Sequence, residues 1–272
     1  MTLGKEEWER LLAKAMGEVQ KAVAAVAAGP DRGLVVGKGA AGDKTLLADR
    51  RAEEILSEAL LGVDGVRVLS EEAGDIGDPA GRTVAVVDPL DGSSNFERGI
   101  QFYCTSVAVA EGGWLDDVRV AMVRNLVNGD SYFAARGGGA TKNGRGISTT
   151  RTRRLEDAVV AVDMSGTSGP AVKALAPLVS GAKRVVHFGA NALELCYLAE
   201  GRIDAFIDVR RRMRVTDFAA GGPIAAEAGA VLTDEWGREL KWRLDLKERA
   251  PCVASANAAL HRQILRLLAP SR

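Results

Sequence analysis

The 272-residue sequence has few of the residues on which several classes of protein depend. It has three cysteines and two histidines, and 5% of its residues are aromatic. An odd number of cysteines, each in an apolar stretch, indicates buried free thiols rather than a disulfide framework. No run approaches the roughly 20 apolar residues of a membrane span, and the charged N-terminus lacks the apolar core of a signal peptide. We therefore expect a cytoplasmic protein that does not enter a membrane.

An excess of charge of one sign is also missing. Lys and Arg together number 36, as do Asp and Glu, so the formal net charge is zero. This balance provides no long-range attraction to nucleic acid or to an anionic membrane, and we expect neither as a partner. Any affinity for phosphate must therefore be local. Hydrophobic residues make up 47% of the chain, which is enough for a substantial core.

The most informative segment is residues 88–96, Asp-Pro-Leu-Asp-Gly-Ser-Ser-Asn-Phe. Residues 83–87 before it are β-branched and apolar and predict a buried strand, so Asp88 falls at the strand end. Pro89 favours a turn, and the small residues 92–94 can begin a helix whose free N–H groups attract an anion. Carboxylates that bind hard cations beside such a helix predict a metal-dependent site for phosphate chemistry. A plain surface turn would need no second Asp beside a buried strand.

The same segment resembles the Asp-Pro-x-Asp-Gly-Ser/Thr-x-Asn-Phe signature of the inositol monophosphatase family. Glu71-Glu72 resembles the family's Glu-Glu motif, residues 133–144 its central hairpin and residues 216–222 its C-terminal motif. Residues 208–217 resemble the archaeal-type branch, which combines fructose-1,6-bisphosphatase and inositol monophosphatase activity. The resemblance spans nearly the whole chain. It implies a phosphoric monoester hydrolase that folds as a five-layer α-β-α-β-α sandwich of the sugar-phosphatase type.

Local patterns predict an α/β protein whose first half has α+β character. Apolar residues recur at helical spacing over residues 4–28, and a second helix is predicted over residues 45–61. The glycine-rich residues 31–44 between them predict a mobile loop. Strands near residues 65–69 and 83–87 are followed by a meander of mostly antiparallel strands.

The second half alternates predicted strands and helices, including a helix over residues 217–229 and a last helix over residues 255–268. The basic, polar stretch at residues 151–154 is the candidate boundary between the halves. We expect an N-terminal half, residues 1–150, that has the metal-binding motifs, and a C-terminal half, residues 151–272. Both are expected to form one compact catalytic unit.

The resemblance also implies a set of metal ligands. Glu71, Asp88 and the backbone carbonyl of Leu90 would hold a first Mg²⁺, and Asp88, Asp91 and Asp217 would hold a second. Two or three Mg²⁺ ions, or Mn²⁺ in their place, are then expected in each active site. Two metals about 3.5–4 Å apart can stabilise both the attacking and the leaving oxygen of an in-line displacement.

Water is the expected nucleophile, because the sequence has no Ser-His or Cys-His pairing and His261 is expected on the surface of the last helix. A bound cation would activate a water shared with Glu71 by lowering its pKa. The family pairs a small hydroxyl, here Ser93, with an Asp from the loop before the second helix. In this chain Ala41 stands where that Asp is expected. We expect Asp43 to take the role through a shifted glycine-rich loop, so that Glu71, Ser93 and Asp43 are the candidate catalytic residues; the alternative is that the partner of Ser93 is lost.

The expected substrates are small phosphorylated polyols or sugars, namely inositol-1-phosphate, fructose-1,6-bisphosphate or both. By resemblance, Gly189 and Asn191 belong to a small-residue turn that contacts the substrate, and Arg210 reaches its distal end. An Arg suits a second phosphate because its planar fork can bind two oxygens, although residues 210–214 could instead form a solvated basic patch. Asp91, Gly92, Ser93 and Ser94 are also expected to bind the substrate, with its phosphate at the N-terminus of the helix that begins there. The family also suggests a homodimer.

Three other functions remain open on the sequence alone. Residues 37–45 approximate a P-loop, but Asp43 separates the last glycine from the lysine that the motif requires directly after it. A non-catalytic binding protein of the same fold would have no use for four converging carboxylates. A 3′-phosphoadenosine 5′-phosphate-type nucleotide phosphatase is a further alternative, since fold does not determine substrate.

Overall fold

The computed structural model describes residues 3–40 and 42–268. Its helices are α1 (Lys5–Ala28), α2 (Leu47–Leu61), α3 (Ser93–Arg98), α4 (Gly169–Gly181), α5 (Asn191–Ala199), α6 (Val215–Phe218), α7 (Gly221–Glu227) and α8 (Ala258–Leu268). Its strands are β1 (Val35–Lys38), β2 (Lys44–Leu46), β3 (Val66–Ser70), β4 (Gly74–Gly77), β5 (Thr83–Asp91), β6 (Cys104–Glu111), β7 (Val118–Asn125), β8 (Ser131–Ala135), β9 (Ala140–Lys142), β10 (Arg145–Ile147), β11 (Val159–Val162), β12 (Arg184–Val186), β13 (Ala205–Arg214), β14 (Val231–Thr233) and β15 (Arg249–Ser255).

Strands β3 to β10 form one sheet with the order β10-β9-β8-β7-β6-β5-β3-β4. Its neighbouring strands are antiparallel except β3 and β5, which run parallel. The predicted antiparallel meander is confirmed by the pairs β5–β6, β6–β7 and β7–β8. A second sheet has the order β12-β11-β13-β15-β14, in which β11 is parallel to both of its neighbours and β15 is antiparallel to its own.

The two faces of the first sheet pack against different helices, because successive side chains of a strand point to opposite faces. In β5, Ala85 and Val87 belong to the core formed with α1 and α2. Val84 and Val86 of the same strand pack with residues of α5 and α7 instead. The amphipathic α1 and α2 therefore form an outer layer, and the first sheet is the layer beneath it.

The second sheet repeats this arrangement. In β13, Phe206 packs with residues of α5 and α7, whereas Ala205 and Ile207 pack with α4 and α8. Helix α5 is covered by a sheet on both sides, so Leu193 and Leu195 are both fully buried although they belong to different cores. The predicted five-layer α-β-α-β-α sandwich is thereby confirmed.

Two stretches differ from the sequence-based predictions. Residues 31–44, predicted as a loop, contain β1 and the start of β2, which pair through Gly37 with Thr45. The helix predicted over residues 217–229 is divided into α6 and α7. The division coincides with close packing against α5, because a Cβ added to Gly221 would lie 2.8 Å from the carbonyl oxygen of Ala192.

The surface position predicted for His261 is wrong. Its side chain is 4% exposed and hydrogen-bonds to the hydroxyl groups of Thr233 (2.9 Å) and Ser255 (3.1 Å). Burial lowers the pKa of His261 to about 4, since water no longer stabilises the charged imidazolium. The residue therefore joins α8 to the second sheet as a neutral hydrogen-bonding group.

Residues 151–154 lie between β10, which belongs to the first sheet, and β11, which belongs to the second. Helices α5 and α7 of the second half pack on both sheets, so the two halves share their cores. The division of the chain into two halves at residues 151–154 therefore stays a prediction. Ala41 lies outside the described residues. In the described part of the chain, no helix is both long enough and apolar enough to cross a bilayer.

Candidate active site

Two neighbouring strands bring the first carboxylates together. Because β3 and β5 are parallel, their carboxyl ends meet at one edge of the sheet, where Glu71 follows β3 and Asp88 lies near the end of β5. The backbone N–H of Glu71 donates to the carbonyl of Val87 (3.3 Å). The pairing of β5 with β6 shifts register between Asp88 and Asp91, around Pro89, which has no N–H for the ladder.

The third carboxylate comes from the C-terminal half. Asp217 is the third residue of the short helix α6, and its Oδ2 accepts a hydrogen bond from the backbone N–H of Arg214 (2.9 Å), which precedes the helix. Glu71, Asp88 and Asp217 each have one carboxylate oxygen within 4.8 Å of the other two. Such a set of converging oxygens matches the preference of hard cations for carboxylate ligands.

The carboxylates of this cluster repel one another and are shielded from water, so their charged forms are unfavourable in the absence of a cation. Burial, followed by repulsion from Asp217, raises the pKa of Glu71 to about 8, and the guanidinium of Arg214 partly offsets the shift. Burial likewise raises the pKa of Asp88 and of Asp91 well above their usual range. Each buried carboxylate is stable as an anion only if positive charge lies close to it. The cavity therefore favours the binding of cations.

Asp91 links the cluster to the middle helix layer. Its Oδ2 accepts a hydrogen bond from the backbone N–H of Ala192 (2.8 Å) in the first turn of α5, where a carboxylate also meets the positive end of the helix dipole. The thiol of Cys104 lies 3.6 Å from the same oxygen. Asp91 is thus fixed between β5 and α5, with its orientation set by both.

The turn after Asp91 is equally constrained. Gly92 has a φ of 88°, and a Cβ there would lie 3.0 Å from the carbonyl oxygen of Phe102. Asn95 donates from its side-chain amide to the carbonyls of Phe102 (2.8 Å) and Phe188 (2.6 Å). The start of α3 is therefore held against the segment that contains Gly189.

The four carboxylates described above line one small polar cavity of about 200 Å³, together with Gly92 and Gly189. Most of the residues predicted from the sequence contribute to its wall, namely Glu71, Asp88, Leu90, Asp91, Gly92, Ser93, Ser94, Gly189, Asn191 and Asp217. Four further residues also line it, the ionisable Asp49, Glu72 and Arg214 and the turn residue Pro89. The structure thus brings the predicted metal-binding and phosphate-binding residues to one place, although their individual roles remain predictions.

Arg210 does not line this cavity and belongs to a separate ion-pair network. Its guanidinium binds both carboxylate oxygens of Asp208 (2.9 and 2.7 Å), contacts Asp163 and donates to the carbonyl of Ser165 (2.9 Å). Asp208 is fully buried and Asp163 is 5% exposed. Arg210 therefore neutralises two buried carboxylates here, and its predicted contact with the distal end of a substrate stays a prediction.

Asp43 lies at the tip of the β1–β2 hairpin with a largely exposed side chain, and its carboxylate contacts the guanidinium of Arg214. Among the described contacts of Asp43, no hydrogen bond to Ser93 occurs. The hairpin is attached to the site by other contacts as well. Thr45 donates its hydroxyl to Glu72, and the amide of Ala40 donates to the carbonyl of Glu72 (3.1 Å).

Asp49 is a cavity residue that the sequence analysis missed. It is 3% exposed, and its Oδ2 accepts a hydrogen bond from the backbone N–H of Leu46 (2.6 Å), which caps α2. Burial raises the pKa of Asp49 to about 7, and the nearby Glu72 adds to the shift. An Asp near a helix start is common as a cap, so the local sequence gave no sign that this one also borders the cavity.

A five-layer sandwich with a cluster of carboxylates beside its strand ends is typical of metal-dependent phosphatases of the sugar-phosphatase type. The profile of the inositol monophosphatase family matches residues 7–271. The chain is similar to a fructose-1,6-bisphosphatase/inositol-1-monophosphatase of Methanothermobacter thermautotrophicus, with 36% identity over 273 residues and coverage of 96% of each chain. This protein therefore belongs to the inositol monophosphatase family.

Solved structures agree with this assignment. The extragenic suppressor protein SuhB of Bartonella henselae has a TM-score of 0.85 and 28% identity, with coverage of 98% of this chain and 100% of that chain. A solved inositol monophosphatase–fructose 1,6-bisphosphatase has a TM-score of 0.83 and 30% identity, with coverage of 96% of this chain and 99% of that chain.

Family membership establishes the class of reaction. The protein is a phosphoric monoester hydrolase that acts on small phosphorylated substrates, in a family that generally depends on metal ions. The comparisons do not favour a nucleotide phosphatase of the 3′-phosphoadenosine type or a non-catalytic binding protein. A P-loop is also excluded, because β2 lies between β1 and α2, whereas a P-loop joins a strand directly to a helix.

Proposed function

We propose that this protein is a Mg²⁺-dependent phosphatase that hydrolyses inositol-1-phosphate, fructose-1,6-bisphosphate or both. The observation that carries the proposal is the convergence of Glu71, Asp88 and Asp217 oxygens to within 4.8 Å of one another in a polar cavity. Mg²⁺ takes oxygen ligands, and Mn²⁺ accepts the same donors. The archaeal relative matches nearly all of this chain, and its name supports the choice of substrates.

The residues of the cavity fit such ions on electrostatic grounds. Burial disfavours the charged form of each carboxylate, which is why the pKa values are raised, and a bound cation would offset that cost. Glu71, Asp88 and the carbonyl of Leu90 would hold one ion, and Asp88, Asp91 and Asp217 would hold a second. Bound there, divalent cations lower the pKa of water and stabilise negative charge on the phosphoryl oxygens. Two or three ions in each active site are proposed within this carboxylate set.

The substrate is proposed to bind at Asp91, Gly92, Ser93 and Ser94, which line the cavity, with its phosphate at the start of α3. The rest of the substrate would lie toward the turn that contains Gly189 and Asn191. Within the described residues, the buried Oδ1 of Asn191 has no hydrogen-bond partner. It is therefore free to accept a hydrogen bond from a hydroxyl group of a polyol or sugar.

The proton acceptor for the attacking water is proposed to be Asp49, with Asp43 as the alternative. Asp49 lines the same cavity as Ser93 and is almost completely buried. A general base is most effective when its pKa is close to the working pH, and that of Asp49 is raised to about 7. Asp43 is exposed and already bound to Arg214.

A cytoplasmic location and a homodimeric state are proposed together with this activity. The location is supported by Cys104, Cys196 and Cys252, which are all buried free thiols, as is usual in a reducing compartment. Sedimentation equilibrium of the purified protein would test the dimer, and a monomer at micromolar concentration would contradict it.

Phosphate release provides the test of function. The panel consists of inositol-1-phosphate, fructose-1,6-bisphosphate and 3′-phosphoadenosine 5′-phosphate, each assayed with Mg²⁺ and with EDTA. We expect release from one or both of the first two substrates, dependence on Mg²⁺, and loss of activity in Asp88→Asn. Release that persists in EDTA would refute the metal-dependent mechanism, and a preference for the third substrate would refute the proposed specificity.

A further inference from the structure

Arg214 occupies an unusual position between the two halves of the site. It is the last residue of β13 and immediately precedes α6, and its backbone N–H is bound by the predicted metal ligand Asp217. Its guanidinium contacts two carboxylates that are far apart in sequence, Glu71 after β3 and Asp43 in the β1–β2 hairpin. One arginine therefore touches two predicted metal ligands and the hairpin that adjoins them.

The side chain of Arg214 is positively charged, whereas the ionisable residues around it in the cavity wall are acidic. Six carboxylates line the cavity: Asp49, Glu71, Glu72, Asp88, Asp91 and Asp217. Among the described residues that line it, Arg214 is the one with a cationic side chain, and that side chain is 22% exposed. Its position is thus close enough to offset part of the repulsion within the cluster.

The two carboxylate partners of Arg214 differ in exposure. The side chain of Glu71 is 18% exposed and faces the cluster, whereas that of Asp43 is 63% exposed. The guanidinium contacts Oε1 of Glu71, so a divalent cation bound at Glu71 would have to share that carboxylate with Arg214. The outer partner Asp43 can keep Arg214 in place when the contact with Glu71 is given up.

We infer that Arg214 is a built-in counter-cation of the active site, which a divalent cation displaces from Glu71 and which Asp43 then retains. In the metal-free protein, Arg214 balances charge among the buried carboxylates. On metal binding, the guanidinium competes with the ion for Glu71, so the Arg214–Glu71 contact weakens metal affinity. This inference rests on the proposed function, because it requires that Glu71 binds the ion.

The two partners give opposite expectations for metal affinity. Arg214→Gln removes the competing charge, so Mg²⁺ should bind more tightly by about fivefold or more. Asp43→Asn removes the outer partner, so Arg214 should hold Glu71 more firmly and Mg²⁺ should bind more weakly. A general loss of structure would weaken binding in both variants and could not produce opposite signs.

The experiment is a calorimetric titration of Mg²⁺ into the metal-free full-length protein, its Arg214→Gln and Asp43→Asn variants, and Arg212→Gln as the matched control. Arg212 is an exposed arginine of the same strand, so its substitution changes the net charge equally without touching the cluster. We expect wild-type affinity in the control. Thermal unfolding in EDTA provides a second readout, in which Arg214→Gln should unfold at a lower temperature than the control variant.

The outcomes separate this inference from the proposed function. If the wild-type protein binds no Mg²⁺, the proposed function itself fails. If the wild-type protein binds Mg²⁺ and both variants keep its affinity, or shift it in the same direction, the counter-cation role is overturned. If Arg214→Gln does not fold, the surface substitution Asp43→Asn decides alone, with weaker binding expected and unchanged binding contradicting the inference.

Discussion

At the scale of single residues, Asp91 offers the cleanest test of charge against shape. In Asp91→Asn the side-chain carbonyl can still accept the hydrogen bond from Ala192, so the junction with α5 is kept. The negative charge, which the second metal site would need, is lost. We expect phosphatase activity to fall by at least about 100-fold, the usual effect of removing one key electrostatic group, with no decrease in thermal stability.

Asp64→Asn is the control for that substitution, because Asp64 is exposed in the turn after α2 and lies outside the cavity wall. It should keep wild-type activity. An Asp91→Asn enzyme that retains more than half of the wild-type rate at saturating Mg²⁺ would show that the two-metal assignment is wrong.

Asp49 and Asp43 can be distinguished by kinetics at saturating Mg²⁺. A proton acceptor acts in the transition state, so its loss should lower kcat by about 100-fold or more and leave KM almost unchanged. We expect this pattern for Asp49→Asn, with a much smaller decrease in kcat for Asp43→Asn. The reverse order would return the role to Asp43, as the sequence analysis predicted. Ser93→Ala added to the affected variant should change little, because residues acting as one unit are not additive.

The ion pairs of Arg210 show that a local sequence pattern does not reveal the partners of a side chain. The motif around it predicted a phosphate-binding arginine, but the structure pairs its guanidinium with Asp163, which lies more than forty residues earlier in the chain. Local pattern contains no information about such a partner. The same holds for Asp43 and Arg214, which are 171 residues apart. Contacts of this kind arise from tertiary packing and become visible only in the folded chain.

At the scale of elements, the tight turn between β5 and α3 depends on glycine. Gly92 has a φ of 88°, and a Cβ would meet Phe102, Ala190 and Tyr103 at 3.0 to 3.2 Å. Gly92→Ala should therefore be destabilised by both backbone strain and crowding, and the site at the start of α3 should be distorted. Urea denaturation measures the first effect and phosphate release the second.

Gly65→Ala provides a matched comparison for that turn. Gly65 has a similar φ of 73°, but a Cβ there would have no atom within 4 Å. It should cost only the penalty of a left-handed alanine, about 1–2 kcal/mol, and leave activity intact. Equal losses of stability in the two variants would mean that crowding at Gly92 is relieved by small movements of its neighbours.

Strand β15 shows why some elements escaped prediction. Pro251 lies within it, and a proline normally argues against a strand with neighbours on both sides. In the structure, the pairing of β13 with β15 shifts register between Asp208 and Met213, opposite the step from Ala250 to Cys252 that contains Pro251. The missing N–H therefore falls at an irregularity of the ladder. By contrast, β5 was predictable, because the apolar, β-branched residues 83–87 are followed directly by Asp88 in the sequence.

At the scale of the whole molecule, the fold places one acidic cluster where three parts of the chain meet. The first sheet supplies Glu71, Asp88 and Asp91, helix α2 supplies Asp49, and β13 with α6 supplies Arg214 and Asp217. Burial of this cluster contributes unfavourably to the stability of the metal-free protein when the carboxylates are charged. Folding and metal binding are therefore coupled through the protonation of the same groups.

This coupling predicts a pH dependence of the metal-free protein. The pKa of Glu71 is raised to about 8 in the folded state, and in the unfolded chain it returns to about 4.3. The folded state then binds protons more tightly than the unfolded state, so its stability is greatest below the unfolded pKa and falls as the pH rises through the folded pKa. Asp88, Asp91 and Asp217 shift in the same direction.

A divalent cation replaces those protons, so the stabilisation it provides should grow with pH. We expect the difference between the melting temperatures with Mg²⁺ and with EDTA to increase steadily from about pH 5 to about pH 8. Differential scanning calorimetry at constant ionic strength measures it. Glu71→Gln is the control, because it lacks the titrating group and should show a smaller increase. A difference that stays constant or shrinks across this range would mean that the raised carboxylate pKa values and the cation site are not linked.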